Sequence, residues 1–192
     1  MVKRTALFLV ASTLVLFSCK TTEFGYKVLA VNGMVYDFSN RPVPNYKITI
    51  GKKYTSTTDI NGRFLIEKVP VGTYAMRGER AGYETYQSDI TISQKEQIIY
   101  IRLPSFNQLL ELADAALVKN QINEAEAYLL RAVAIEELTT ELFFYLATVQ
   151  FRQKNYQEAQ ETLQSARDHG LADIYVEKFL ADLKRMHDEN IF

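Results

Sequence analysis

Few side chains in this chain of 192 residues stand in a pattern that could do chemistry, and the single cysteine, Cys19, is the clearest of them. A short basic start at Lys3 and Arg4 comes before it, followed by an almost wholly apolar stretch over residues 5–17. Polar sequence begins directly after the cysteine. This order is typical of a secretory signal, and the stretch is too short to span a bilayer, which needs roughly 20 residues. We therefore expect an exported protein with a signal peptide over residues 1–18.

The end of the apolar stretch resembles the lipobox of bacterial lipoproteins. Leu16 and Ser18 fit that motif, whereas Phe17 departs from its preference for a small residue. The resemblance implies that Cys19 is acylated, becomes the new N-terminus and begins a lipidated tether over residues 19–25. Stable anchoring takes more than one acyl chain, and lipoproteins carry three, palmitate among them. The alternative is an ordinary cleaved signal in which the cysteine stands by chance.

The residue after the cysteine bears on location. It is Lys20, not the aspartate that some bacteria use to retain a lipoprotein in the inner membrane. We therefore expect a lipid-anchored protein of the bacterial cell envelope, placed in the outer membrane. No partner there is expected to be a nucleic acid, because the net charge of the whole chain is only −1.

Catalytic and metal-binding patterns are missing from the sequence. The two histidines, His169 and His187, have no Cys, His or carboxylate partner at metal-ligand spacing. His169 precedes Gly170, where a helix is expected to end, so we expect it to complement the helix dipole. Acidic pairs such as Glu136 and Glu137 are typical of solvated helix faces. We predict no catalytic residue, no metal site and no cofactor besides the lipid on Cys19, and hence a protein that is not an enzyme.

Charge divides the chain near residue 105. Residues 20–105 carry 12 Lys and Arg against 8 Asp and Glu, whereas residues 106–192 carry 8 against 15. The first part is therefore net positive and the second net negative. This change of sign indicates two domains.

Short β-type segments fill residues 26–103. They are rich in β-branched and aromatic residues and are bounded by turn residues, which favours a β-sandwich over alternating βα units. In one turn, Asp59 is expected to accept backbone N–H groups and Gly62 to adopt a positive φ. The expected strand segments are residues 28–36, 46–50, 63–67, 74–77, 90–92 and 98–103.

Five pieces of this region, in the same order, resemble the carboxypeptidase regulatory-like domain. The resemblance implies a seven-stranded antiparallel β-sandwich of the transthyretin type over residues 26–103, acting as a stable accessory module without catalysis. Asn45 stands where the family usually has glycine, and the zinc ligands of the peptidases have no counterpart. The pieces are GMVYD at 33–37, RPVPN at 41–45, TDINGRF at 58–64, VPVGTY at 69–74 and GY at 82–83.

From Phe106 the apolar pattern becomes helical and returns with a period of about 34 residues. This period resembles the tetratricopeptide repeat and implies helical repeats with a terminal capping helix over residues 106–192. The aromatic and proline usual in the family are absent, with Ala116 and Gln150 at the aromatic position. The matched pairs are Leu109 and Phe143, Leu112 and Leu146, Ala113 and Ala147, Leu117 and Phe151, Ile122 and Tyr156, Glu124 and Glu158, Ala125 and Ala159, Leu129 and Leu163, and Ala132 and Ala166.

The resemblance also implies a concave groove, lined by the first helix of each repeat, that holds a peptide segment or a partner helix. Leu117 and Phe151 on that face could equally be buried packing. We therefore predict a non-catalytic scaffold lipoprotein that holds another envelope protein near the membrane. The partner-binding residues carried over by position are Phe144, Thr148 and Arg152, which share one helical face, together with Asp114, Lys178 and Arg185.

Two alternative functions stay open. The sandwich could bind carbohydrate or peptidoglycan, with Tyr83 and Tyr86 as stacking surfaces, and a row of exposed aromatic rings would favour this. The chain could also be an enzyme subunit that is active only with a partner chain. A basic cluster that includes Lys52 and Lys53 could touch anionic lipid or glycan, although it is more typical of a hairpin tip that blocks edge pairing.

Overall fold

The computed structural model describes residues 27–95 and 97–189, which form seven β-strands followed by five α-helices. The α+β class is confirmed. The predicted signal peptide, Cys19 and the whole predicted tether over residues 19–25 lie outside the described residues. The strands are β1 Val28–Tyr36, β2 Lys47–Ile50, β3 Tyr54–Thr57, β4 Arg63–Pro70, β5 Gly72–Glu79, β6 Tyr86–Ile92 and β7 Ile98–Arg102, and the helices are α1 Phe106–Val118, α2 Ile122–Val133, α3 Thr140–Arg152, α4 Tyr156–Asp168 and α5 Ile174–Asp188.

The strands form two sheets around one apolar core. Their orders are β4-β1-β7 and β3-β2-β5-β6. Side chains alternate between the two faces of a strand, so every second residue points inward. Val35, Ile48, Ile50, Met76 and Ile101 are all buried in this core. The predicted β-sandwich is therefore present.

One strand pair departs from the expected antiparallel arrangement. β1 and β7 run parallel, with Asn32 opposite Ile98 and Tyr36 opposite Arg102. The chain reaches β7 from β6, which lies in the other sheet, so no tight hairpin fixes the direction of β7 against β1. The prediction of a wholly antiparallel sandwich is wrong at this pair, while the other pairs of these seven strands are antiparallel.

The turn before β4 has the geometry expected from its sequence. Asp59 Oδ1 accepts hydrogen bonds from the backbone N–H groups of Asn61 and Arg63, at 2.8 and 2.9 Å. Gly62 has a φ of +74°, and a Cβ built on it would lie 2.4 Å from the carbonyl oxygen of Val35. Any other residue would clash there, so this glycine allows β1 and the turn to approach each other.

The helices keep the period of the sequence. α1, α3 and α5 begin at residues 106, 140 and 174, and α2 and α4 begin at 122 and 156, so equivalent helices start one repeat period apart. The matched alanines are fully buried at their positions, which allows neighbouring helices to approach closely. The structure thus contains the helix–turn–helix units that the period predicted, and their assignment to the tetratricopeptide family stays a prediction.

Polar contacts join the helices to the sandwich. The side chain of Gln108 in α1 accepts hydrogen bonds from the backbone N–H groups of Ser105 and Phe38, and its amide donates to the hydroxyl of Ser39 at 2.9 Å. Arg131 of α2 donates to both carboxylate oxygens of Glu84, at 2.7 and 2.9 Å. Such bidentate pairs fix orientation as well as distance, so α1 and α2 are held against the sandwich.

Candidate functional site

The six predicted partner-binding residues lie on the three equivalent helices α1, α3 and α5. α3 contacts both of the others, and so the three lie side by side. Phe144 and Thr148 are half-buried, whereas the other four are exposed. The structure therefore brings these helices together as the groove prediction requires, but it does not leave all six side chains equally free. The four exposed residues are Asp114, Arg152, Lys178 and Arg185.

Phe144 belongs to a cluster of aromatic rings between α3, α4 and α5. Its ring meets Phe179 edge-on at a centroid distance of 5.9 Å, and Phe179 meets Phe151 at 5.7 Å. Phe151 in turn contacts Tyr156 at 5.3 Å. Edge-to-face pairs at these distances stabilise packing. Phe144 and Phe151 therefore hold α5 in place, and only part of the Phe144 ring is available to a partner.

Most of the polar side chains predicted to bind a partner already make hydrogen bonds or ion pairs within the chain. The hydroxyl of Thr148 donates to the carbonyl oxygen of Phe144 at 2.8 Å, as hydroxyls inside helices often do. Arg152 Nη1 donates to Asn120 Oδ1 at 3.2 Å, and Arg185 pairs with Asp182 at 3.1 Å. Both arginines are exposed, so these contacts are weak and can exchange with a ligand.

A concavity on this face lies at the N-terminal ends of α3 and α5. It has a volume of about 450 Å³, and we call it the N-terminal cleft. Tyr175 at its edge is 68% exposed, although large aromatic side chains usually lie inside. The cleft is lined by Thr140, Glu141, Phe144, Tyr145, Asp173 and Tyr175.

Negative charge surrounds the rings of this cleft. Burial raises the pKa of Tyr145, and the neighbouring carboxylate of Asp114 raises it further by its charge and by a hydrogen bond, with a smaller contribution from Glu141. Asp173 caps α5 by accepting hydrogen bonds at Oδ1 from the backbone N–H groups of Tyr175 and Val176. Anionic groups thus approach the cleft from three helices.

Sequence reasoning missed Tyr145, Asp173 and Tyr175. Tyr175 occupies in α5 the place that Glu141 has in α3, one repeat period earlier, so that period could have found it. Asp173 stands before an apolar segment, which is a helix N-cap signal. Tyr145 had no sequence signal, because it adjoins Phe144 and helical periodicity placed only one of the two on the groove.

The two histidines lie at or near the C-terminal ends of helices. His169 is the C-cap of α4, where its Nδ1 lies 2.8 Å from the carbonyl oxygen of Ser165 and its ring stacks on Phe143 at 6.0 Å. The predicted helix end is confirmed. His187 lies near the end of α5 and lines a second hollow together with Lys154 and Tyr156. No group of three or more His, Cys, Asp or Glu within residues 27–95 and 97–189 could hold a metal ion.

Comparison with known proteins bears on the sandwich. The carboxypeptidase regulatory-like domain family matches residues 30–103. No curated protein matches the chain. The predicted resemblance is thus confirmed for this region, and we call it the regulatory-like domain.

Solved structures similar to this chain are related only distantly. A chain of a type II cohesin-X-dockerin complex from Acetivibrio cellulolyticus is 20% identical, with a TM-score of 0.36 over 40% of this chain and 58% of that one. A candidate carbohydrate-binding protein from Bacteroides uniformis is 15% identical, with a TM-score of 0.35 over 41% of this chain and 42% of that one. Another candidate carbohydrate-binding protein, from Pseudomonas aeruginosa, is 17% identical, with a TM-score of 0.33 over 39% of this chain and 88% of that one. This chain covers less than two thirds of the length of the first two of these proteins.

The tyrosines expected to form a stacking surface on the regulatory-like domain do not form an exposed row. Tyr83 and Tyr86 are half-buried against the core. The guanidinium of Arg80 also covers Tyr83, 4.8 Å from the ring centroid. An exposed aromatic residue of this domain is instead Tyr100, on the outer face of β7 and opposite Met34 in β1.

The basic cluster lies at the expected hairpin tip of the regulatory-like domain. Lys52 and Lys53 fall between β2 and β3, and β3 is an edge strand. The ammonium of Lys53 lies 5.0 Å from the ring centroid of Tyr54, while Lys47 pairs with Glu79 at 3.5 Å. Charged side chains at such an edge oppose pairing with another strand.

In the part of the chain that the structure describes, every helix is too short or too polar to cross a membrane.

Proposed function

We propose that this chain is a non-catalytic lipoprotein of the bacterial envelope, anchored through lipid on Cys19, that holds a partner protein through its helical repeats. The observation that carries the proposal is the N-terminal cleft. Its rings come from two equivalent helices, and Tyr175 is 68% exposed there. Exposed aromatic side chains beside a hollow are typical of protein-binding surfaces.

The repeat architecture supports the same function. Equivalent helices begin one repeat period apart, as in the tetratricopeptide repeats that the sequence resembles. Repeats of this kind stack into extended surfaces that bind other proteins. In the proposal, α1, α3 and α5 line the surface, which extends from the cleft past Asp114 and Lys178 to Arg152 at the C-terminal end of α3.

The remaining parts of the chain would set the position of this surface. The lipid restricts the protein to a membrane, and the regulatory-like domain separates the anchor from the helices. Because Gln108 and the pair of Glu84 and Arg131 join that domain to the helices, the cleft would be presented at a fixed orientation. A rigid spacer lowers the entropic cost of binding a partner near the membrane.

Photocrosslinking in living cells tests the groove. A photoreactive residue at position 144 or 175 should capture one dominant envelope protein, identified by mass spectrometry. The same probe at Glu161, which is exposed on α4, serves as the matched control and should capture nothing specific. Capture should be lost when Arg152 is changed to Glu. Equal capture from all three positions, or none from 144 and 175, would contradict the proposal.

Membrane anchoring has its own test. Replacing Cys19 with Ser should abolish labelling by radioactive palmitate and move the protein from the membrane fraction to the soluble fraction. Labelling that persists in Cys19→Ser would rule out this cysteine as the lipid site. Fractionation of the unchanged protein then distinguishes the outer from the inner membrane.

Carbohydrate binding by the regulatory-like domain is a second candidate function, favoured by Tyr100, which is 67% exposed. On the same outer face, Tyr36 lies opposite Arg102, and the Arg102 guanidinium lies 5.6 Å from the ring centroid of Phe38. Co-sedimentation with peptidoglycan should fall in Tyr100→Ala and stay unchanged in Tyr175→Ala. The reverse result would place binding on the helices.

A further inference from the structure

We infer that the N-terminal cleft accepts a basic side chain, arginine or lysine, from a peptide segment of the partner protein. This inference rests on the proposed function, because it names the chemistry of the segment that the helices hold. It follows from the rings of the cleft, from the charges around them and from the lack of a basic side chain among its six lining residues.

The rings provide the apolar part of the site. Phe144, Tyr145 and Tyr175 line the cleft, and Phe144 meets Tyr145 edge-on at 6.1 Å, so the ring planes differ in direction. The face of an aromatic ring carries partial negative charge and attracts a cation within about 6 Å. An arginine or lysine also has an apolar stem that can lie along such rings while its charged end reaches a carboxylate.

Carboxylates provide the charge. Glu141 and Asp173 line the cleft, and Asp114 reaches Tyr145 from α1. Asp173 uses Oδ1 to cap α5, and no hydrogen bond in the described part of the chain engages its other oxygen. Glu141, in the first turn of α3, and the Asp173 cap also offset the partial positive charge of the two helix ends.

The cleft has no basic side chain among its six lining residues, and Lys178, one turn along α5 from Tyr175, is exposed to solvent. Arg152 and Arg185 lie at the C-terminal ends of α3 and α5, away from the cleft, where Arg152 donates to Asn120 in the turn after α1 and Arg185 pairs with Asp182. Residues 106–192 as a whole carry 15 acidic against 8 basic side chains, so the surrounding field also attracts a cation. An acidic ligand would be repelled, and a wholly apolar one would leave the carboxylates desolvated without a partner.

Peptide binding to the purified full chain in detergent tests the inference. The probes are fluorescein-labelled dodecapeptides of Gly and Ser with a central Leu-Arg-Leu, and matched peptides with citrulline or Glu in place of Arg. Citrulline keeps the shape of arginine without its charge. Anisotropy of the fluorescein label gives the affinity of each peptide.

The arginine peptide should bind about tenfold more tightly than the citrulline peptide, and the Glu peptide should not bind. Glu141→Gln combined with Asp173→Asn should weaken arginine binding about fivefold, since each exposed charge contributes modestly. Asn is a good N-cap, so this variant keeps α5 intact. Glu161→Gln makes the same charge change on α4 and should have no effect.

Equal binding of the arginine and citrulline peptides, or no effect of the double variant, would overturn the inference. Self-association that is lost on changing Lys52 and Lys53 to Glu would also overturn it, because the occupant would then be a second copy of this chain. Crosslinking from position 175 distinguishes a failure of this inference from a failure of the proposed function. Capture of a partner through a segment without a basic residue refutes only the inference, whereas no capture refutes the proposed function.

Discussion

Tyr46 shows what one hydroxyl contributes inside the sandwich. The side chain is fully buried, and its Oη donates to the carbonyl oxygen of Glu84 at 2.9 Å and accepts from the backbone N–H of Tyr86 at 3.1 Å. Tyr46→Phe leaves both backbone groups without this partner, which should lower the free energy of unfolding by about 1–3 kcal/mol. Urea unfolding measures the loss, and the exposed Tyr100→Phe should show none.

The same hydroxyl makes stability depend on alkaline pH. Burial raises the pKa of Tyr46 well above its ordinary value, so the phenol loses its proton in the unfolded chain first. Its contribution is therefore fully present below about pH 10 and is lost as the pH rises above that value. The stability difference between the wild type and Tyr46→Phe should shrink from pH 8 to pH 11. A constant difference over this range would contradict the assignment.

Lys154 occupies a backbone position that suits glycine. Its φ is +68°, and its N–H donates to the carbonyl oxygen of Phe151 in the turn that ends α3. Lys154→Gly should raise the free energy of unfolding by about 0.5–1 kcal/mol, because glycine takes this conformation without strain. At the equivalent position after α4, Gly170 has a φ of +70° and free space around it. Gly170→Ala should therefore lower the free energy of unfolding by a similar amount. A destabilised Lys154→Gly would show that the lysine side chain itself contributes more than the strain.

At the scale of elements, the sequence predicts helices better than strand order. The repeat period located the starts of equivalent helices, because helix ends and buried faces are coded by neighbouring residues. The parallel pairing of β1 and β7 had no such signal, since it depends on which sheet the chain enters after β6. Only part of the cleft was predicted from the sequence, for a similar reason. Periodicity placed Phe144 on the face, but the partly buried Tyr145 and the exposed Tyr175 depend on how α5 packs.

The packing of α5 depends on Phe179. Its ring contacts Phe144 and Phe151 at 5.9 and 5.7 Å, so Phe179→Ala removes the main aromatic contacts between α3 and α5. The change should cost about 2–4 kcal/mol in urea unfolding. Tyr175→Ala, four residues earlier on the same helix, should change stability by less than about 0.5 kcal/mol because the side chain is 68% exposed. A large loss in Tyr175→Ala would mean that this ring stabilises the fold and is not free for a partner.

In the whole molecule, a net positive sandwich is joined to a net negative helical part by a small set of contacts. Besides Gln108 and the pair of Glu84 and Arg131, the backbone N–H of Phe106 donates to the carbonyl oxygen of Gly82 at 2.9 Å. Interfaces of this kind within one chain often permit relative motion of the two parts. The polar side chains should therefore decide whether the cleft has a fixed position relative to the sandwich.

Removing those side chains together tests this directly. In Gln108→Ala combined with Arg131→Ala, the hydrogen bonds to Phe38 and Ser39 and both bonds to Glu84 are lost, while the apolar cores of the two parts are unchanged. We expect ¹⁵N relaxation to give two shorter rotational correlation times in place of one. Arg167→Ala removes the ion pair with Glu177 inside the helical part and should leave tumbling unchanged. If the double variant still tumbles as one body, the backbone contacts and the buried Phe106 are sufficient to hold the two parts, and the polar pairs only set their orientation.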